Sequence, residues 1–119
     1  MGQFGKGMRF KPFSIDTPVG IIATFAFPIP KKEAKEGSIK EGDFRPKTPD
    51  LDNVEKFLMD SIKGLFWIDD RQVSLNIVQT IYSERPRTEF AVFKPTKLIR
   101  DTVWQQVQAI VDGVAFDVE

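Results

Sequence analysis

The chain contains no cysteine and no histidine. The first absence excludes disulfides, thiolate chemistry and cysteine-ligated zinc. The second removes the commonest general base and most zinc sites. Acid–base or metal chemistry must then rest on Asp, Glu, Lys or the single Tyr, and oxygen-only ligation points to magnesium, manganese or calcium. Long apolar runs are missing too. None approaches the roughly 18 residues of a membrane span, and the opening MGQFGKGMRFKPF lacks the apolar stretch of a secretory signal. The expectation is a cytoplasmic protein with no membrane partner. Net charge is absent as well, 17 Lys and Arg balancing 17 Asp and Glu. Residues 1–49 nevertheless carry nine basic against five acidic side chains, and residues 50–119 eight against twelve. Such segregation suits a DNA-facing segment beside a carboxylate-rich site, and equally suits ordinary solvated surface charge.

What remains is one globular domain's worth of chain, 119 residues with 41% hydrophobic content and no internal repeat. Met1–Val19 reads as an irregular basic and aromatic arm, with Phe4, Phe10 and Phe13 among Lys6, Arg9 and Lys11. Such interleaving serves DNA contact or simple packing of a terminus. Gly20–Pro28 is rich in β-branched and aromatic residues, which predicts a strand buried on both faces. Pro30–Pro49 loses hydrophobic period and reads as a long basic loop, with a helical turn near Lys32–Glu36. From Asp52 the pattern turns helical: Val54, Phe57, Leu58, Ile62 and Leu65 form one apolar stripe. Asp50 or Asp52 can cap it, Asp52 with Glu55 resembling a capping box, and Gly64 ends it. Val73–Tyr82 and Thr88–Phe93 read as strands joined by the SERPR turn into a hairpin. Pro95–Val111 reads as a helix stopped by Gly113, and Val114–Glu119 as an acidic tail.

The chemistry concentrates between Pro49 and Val73. Asp52 to Gly64 spans about 18 Å of helix, and Gly64 to Asp70 about 20 Å if extended. A strand folding back along the helix would bring Asp70 level with Asp52, with Asp50 close by. Such acids repel one another unless a cation lies among them, and Mg²⁺ would supply that charge while activating a water against a phosphodiester. Lys56, one turn after Asp52, is placed to steady developing negative charge. The same residues admit a plainer assignment, in which Asp50 or Asp52 only caps, Asp69 and Asp70 only turn the chain, and Lys56 is a solvated helix partner.

The run Pro49-Asp50-Leu51-Asp52-Asn53, a helix with Lys56 and Asp60, and then Asp69-Asp70-Arg71-Gln72-Val73 resembles the RusA-type Holliday junction resolvases. The resemblance implies a small homodimer that nicks opposing strands of four-way DNA junctions, using Mg²⁺ for which Mn²⁺ substitutes. It also implies that Asp50, Asp52 and Asp70 are the metal-binding catalytic carboxylates, Lys56 the essential lysine and Asp69 a secondary member of the acidic cluster. Lys31, Lys32, Lys35, Arg45, Lys47 and Arg71 are then the expected DNA-contacting cations. The family's occurrence in phages implies work on recombining or branched DNA. The chain departs from the family pattern before Gly20, where Met1–Val19 is short and lacks a Pro-Pro-x-x-Asn turn. That motivates the alternative of a truncated or inactive DNA-binding relative. The fold expected is α/β (α+β): a small mixed sheet with the Asp52–Lys63 helix on one face and a C-terminal helix packed nearby.

Overall fold

The computed structural model describes residues 11–110. Most of the basic and aromatic arm, the Gly113 stop and the acidic tail lie outside the described residues. Val19–Pro28 forms β1, Val73–Ser83 forms β2 and Arg87–Phe93 forms β3. They make one mixed sheet in the order β2-β1-β3, with β1 parallel to β2 and antiparallel to β3. The α+β class expected from the sequence is therefore the class observed.

The order of the strands differs from expectation. β2 and β3 follow one another across a short turn, yet β1 lies between them, with Pro28 opposite Ser83 on one side and Ala26 opposite Arg87 on the other. The expected hairpin is split. β1 is the most apolar strand, and the central position completes its ladder on both edges while burying Val19, Ile21, Ala23 and Phe25 to 5% exposure or less. Burial of both its faces is also revised. One face packs on the helix described next, whereas Ile22 on the other is 44% exposed.

Two helices fill the connection from β1 to β2. α1 is Lys31–Glu36, ended by Gly37 at φ 71°, a left-handed conformation that glycine adopts without penalty. α2 is Leu51–Ile62. Its Leu58 and Ile62 join Trp67 and four β1 residues in the core, with Leu51, Val54 and Met59 packed against that cluster. The apolar stripe is narrower than the sequence suggests. Phe57 stands about 100° round the helix from Leu58 and is 75% exposed, and Leu65 follows the helix end.

α3, Lys97–Ile110, starts at Thr96, whose Oγ1 accepts the Ile99 N–H at 3.1 Å. The expectation that it packs nearby holds only loosely. It faces the rim of β2 across a hollow lined by Leu75, Ile77, Val103 and Trp104, and none of its residues is buried. Among the described residues no helix is long and apolar enough to cross a membrane.

Candidate active site

The first acidic motif is delivered by the basic loop, which is laid along the outer edge of β2. Gly42 N donates to Tyr82 O and Tyr82 N to Asp43 O, both at 2.9 Å, and Arg45 N donates to Thr80 O at 3.1 Å. Glu41 anchors the loop to the β2–β3 turn, accepting from Ser83 Oγ and from Glu84 N at 2.7 Å each. The Glu84 N–H and the Ser83 hydroxyl, helped by the cations Arg87 and Arg85, hold the Glu41 carboxyl below its ordinary value.

Arg45 closes the end of that loop. Its Nη1 donates to the carbonyls of Lys47 (3.2 Å) and Pro49 (3.0 Å), and its Nη2 to that of Thr48. The guanidinium carbon lies 3.8 Å from the centre of the Phe27 ring. This cation, expected to face DNA, is half-buried and makes three hydrogen bonds to carbonyls of its own loop. Lys31, Lys32, Lys35, Lys47 and Arg71 are exposed. Among the described residues none of these five, nor Lys56, takes part in a salt bridge; the pairs found are Arg87–Glu89 and Arg100–Asp101.

Asp50 is the N-cap of α2, its Oδ1 accepting from Asn53 N at 3.2 Å. Asp52 occupies the first turn, where the helix dipole favours negative charge, and Lys56 follows one turn later; all three side chains are exposed. The expected Asp52–Glu55 capping box does not form. Glu55 accepts instead from Asn76 Nδ2 of β2, and the cap belongs to Asp50.

The second motif is built into the fold. After α2 the chain turns on itself, with Leu65 N donating to Ile62 O and Gly64 N, at φ 88°, to Trp67 O. The fully buried Trp67 donates its indole N–H to Asp70 Oδ1 at 2.9 Å. Asp69 caps the 3₁₀ turn Asp70–Gln72 in a capping box with Gln72. Gln72, 3% exposed, accepts from Ile68 N (2.8 Å) and Asp69 N (2.9 Å) through Oε1. Its Nε2 donates to the carbonyls of Ser14 (2.8 Å) and Thr17 (3.1 Å). Gln72 received no role from the sequence; the signal was the D-x-x-Q spacing, which is capping-box spacing.

These two motifs do not meet within one chain. Glu55 touches Asn76, while Leu51, one turn earlier, shares a hollow with Thr80. α2 therefore runs against β2, and Asp70, which precedes β2, lies beyond the C-terminal end of the helix. The helix alone separates it from Asp52 by on the order of 15–20 Å. The foldback arithmetic fails because residues 63–69 coil into turns instead of running extended; the chain returns through β2 and reaches the level of Asp50 only at Thr80. Among the described residues no group of three or more acidic side chains is placed to hold a metal ion. Asp50 and Asp52 fit a hard divalent cation by donor type and exposure, as two carboxylates of an incomplete set.

Comparison with known proteins agrees with the motifs. The family model "Endodeoxyribonuclease RusA" matches residues 3–92, so that α3 lies beyond the matched region. "Uncharacterized protein YqaN" of Bacillus subtilis (strain 168) is 35% identical over 90 residues, covering 71% of this chain and 63% of that protein. The matched region thus spans less than two thirds of its relative's length. No solved structure matches. By the family match over three quarters of its length, the chain belongs to the RusA endodeoxyribonuclease family.

Proposed function

We propose that this protein is a divalent-metal-dependent endodeoxyribonuclease that resolves four-way DNA junctions by paired nicks, acting as a homodimer. The observation that carries this reading is the exposed Asp50-Leu51-Asp52-Asn53 motif at the N-terminus of α2, inside the family match. Mg²⁺, when bound, supplies positive charge among the carboxylates and lowers the pKa of a coordinated water. Asp50 and Asp52 would hold it, and Lys56, free of any acidic partner among the described residues, would steady charge developing on the phosphate. Water oxygen bonds to phosphorus as it gives up a proton, the P–O3′ bond breaks, and O3′ takes up a proton from solvent to leave as a 3′-hydroxyl, the phosphate staying on the 5′ side. The third carboxylate, Asp70, is too distant in the same chain, so each site takes Asp70 from the partner subunit. Two nicks need two sites, and a two-fold dimer supplies them.

Mixing inactive variants tests this. Asp52→Asn and Asp70→Asn, each incubated alone with a synthetic four-way junction and Mg²⁺, should be at least about a hundredfold slower than wild type. Co-folded together they form a heterodimer in which one shared site carries both defects and the other carries neither. Nicking of one strand per junction should return. No return of nicking would sink the shared site, and no cleavage by folded wild type would sink the nuclease. A second reading, a DNA-binding relative without cleavage, is favoured by the lack of a three-acid cluster among the described residues. It would bind junctions with steep salt dependence and give no product.

A further inference from the structure

We propose that Arg45 is a positioning residue that fixes Asp50 against the sheet, rather than a phosphate-contacting cation of the basic loop. The proposal rests on the nuclease reading above for its kinetic part only. Three successive carbonyls, those of Lys47, Thr48 and Pro49, converge on one guanidinium immediately before Asp50. Two of these residues flank or contain a proline junction, in a stretch with no regular structure of its own. Among the described residues no other donor is found on these three carbonyls.

Arg45 supplies the missing reference frame from both sides. Its backbone is locked to β2 in two directions: its N–H donates to Thr80 O, and its carbonyl accepts from Thr80 Oγ1 at 3.0 Å. Its guanidinium face rests on Phe27 near the end of β1. One residue thus ties the loop carbonyls to β1 through its side chain and to β2 through its backbone, and the last of those carbonyls, that of Pro49, directly precedes Asp50. Only a planar fork can do this: it offers several donors in fixed directions and a flat face for the ring, whereas a lysine is a single point charge on a flexible stem. A cation that directs three hydrogen bonds onto carbonyls of its own loop, with its face on an aromatic ring, has less of its fork to offer a DNA phosphate.

Arg45→Lys and Arg45→Met in the full chain separate the two roles. If Arg45 positions, both variants should raise amide hydrogen exchange at residues 48–54 by about tenfold while β1 amides keep their protection. On a four-way junction with Mg²⁺, kcat should fall by about tenfold in both, with KM, junction Kd and its salt slope unchanged. Phe27→Leu, which removes the ring and keeps the apolar bulk, should move the same readouts in the same direction by less. Exchange at 48–54 equal to wild type would overturn the proposal. So would a lysine variant that behaves as wild type while the methionine variant loses junction affinity and about one unit of salt slope, the mark of a phosphate contact. The exchange comparison needs no catalysis, so an inactive wild type would defeat the nuclease reading and leave the Arg45 result standing.

Discussion

Asp50 and Asp52 stand exposed at the N-terminal end of α2, whereas Asp69 and Asp70 are half-buried in the turn beyond its other end. Both are pairs of acids at a helical start, and both follow the same local rules of capping. They differ in what else their carboxylates do. In the first pair Asp50 spends one oxygen on Asn53 N–H, and among the described residues no hydrogen bond is found to the Asp52 carboxylate. In the second, Asp70 receives the indole N–H of a fully buried tryptophan, and Asp69 sits in a network centred on a buried glutamine. The first pair is free to bind, and its position depends on the loop before it. The second is rigid, and its position is set by the core itself. A site assembled from both would join an adaptable half to a fixed one.

That contrast can be broken most forcefully at Gln72. Gln72→Ala removes an amide that satisfies two N–H groups and two or more carbonyls in a buried position, and should cost about 2–4 kcal/mol in urea unfolding. A loss under about 1 kcal/mol would mean that the second motif is no more rigid than the first. At the first motif the effect is smaller and can be divided. Asp50→Ala should cost about 1 kcal/mol through the lost cap, while Asp50→Asn, which still accepts from Asn53 N–H, should cost only a few tenths. Equal losses for the two would show that charge, and not capping, holds this end of α2.

The smallest effect concerns the anchoring of the loop. The Glu41 carboxyl is held below its ordinary value of 4.5, first by the Glu84 N–H and then by the Ser83 hydroxyl. A depressed folded-state value contributes stability that is fully present above the unfolded value and fades as pH falls through the folded one. Wild type should therefore lose stability below about pH 4.5 more steeply than Glu41→Gln, the two curves converging in stronger acid. Melting temperatures across that range test the point. Parallel curves would mean that Glu41 does not tie the loop to the turn.

Much of this architecture was legible in advance. Apolar period located α2 and the three strands to within a residue or two, because burying Leu58, Ile62 and alternate β1 residues demands that spacing. The short helix before Gly37 and the break at Gly64 were visible as well. Strand order was not, since an apolar β1 satisfies the sequence pattern equally well at the edge or in the centre of a sheet. The role of Arg45 was also hidden: a basic residue in a polar loop looks solvent-facing until Phe27 and three carbonyls are found around it.

By itself the sequence determined which donor types are on offer, acids and lysine with neither histidine nor cysteine, and the order of two acidic motifs within the region that matches the family. Only the tertiary structure decided that these motifs lie at opposite ends of α2. The reason is local hydrogen bonding: residues 63–69 satisfy their backbone groups by turning rather than by extending, and Trp67 buried in the core fixes where that turn must sit.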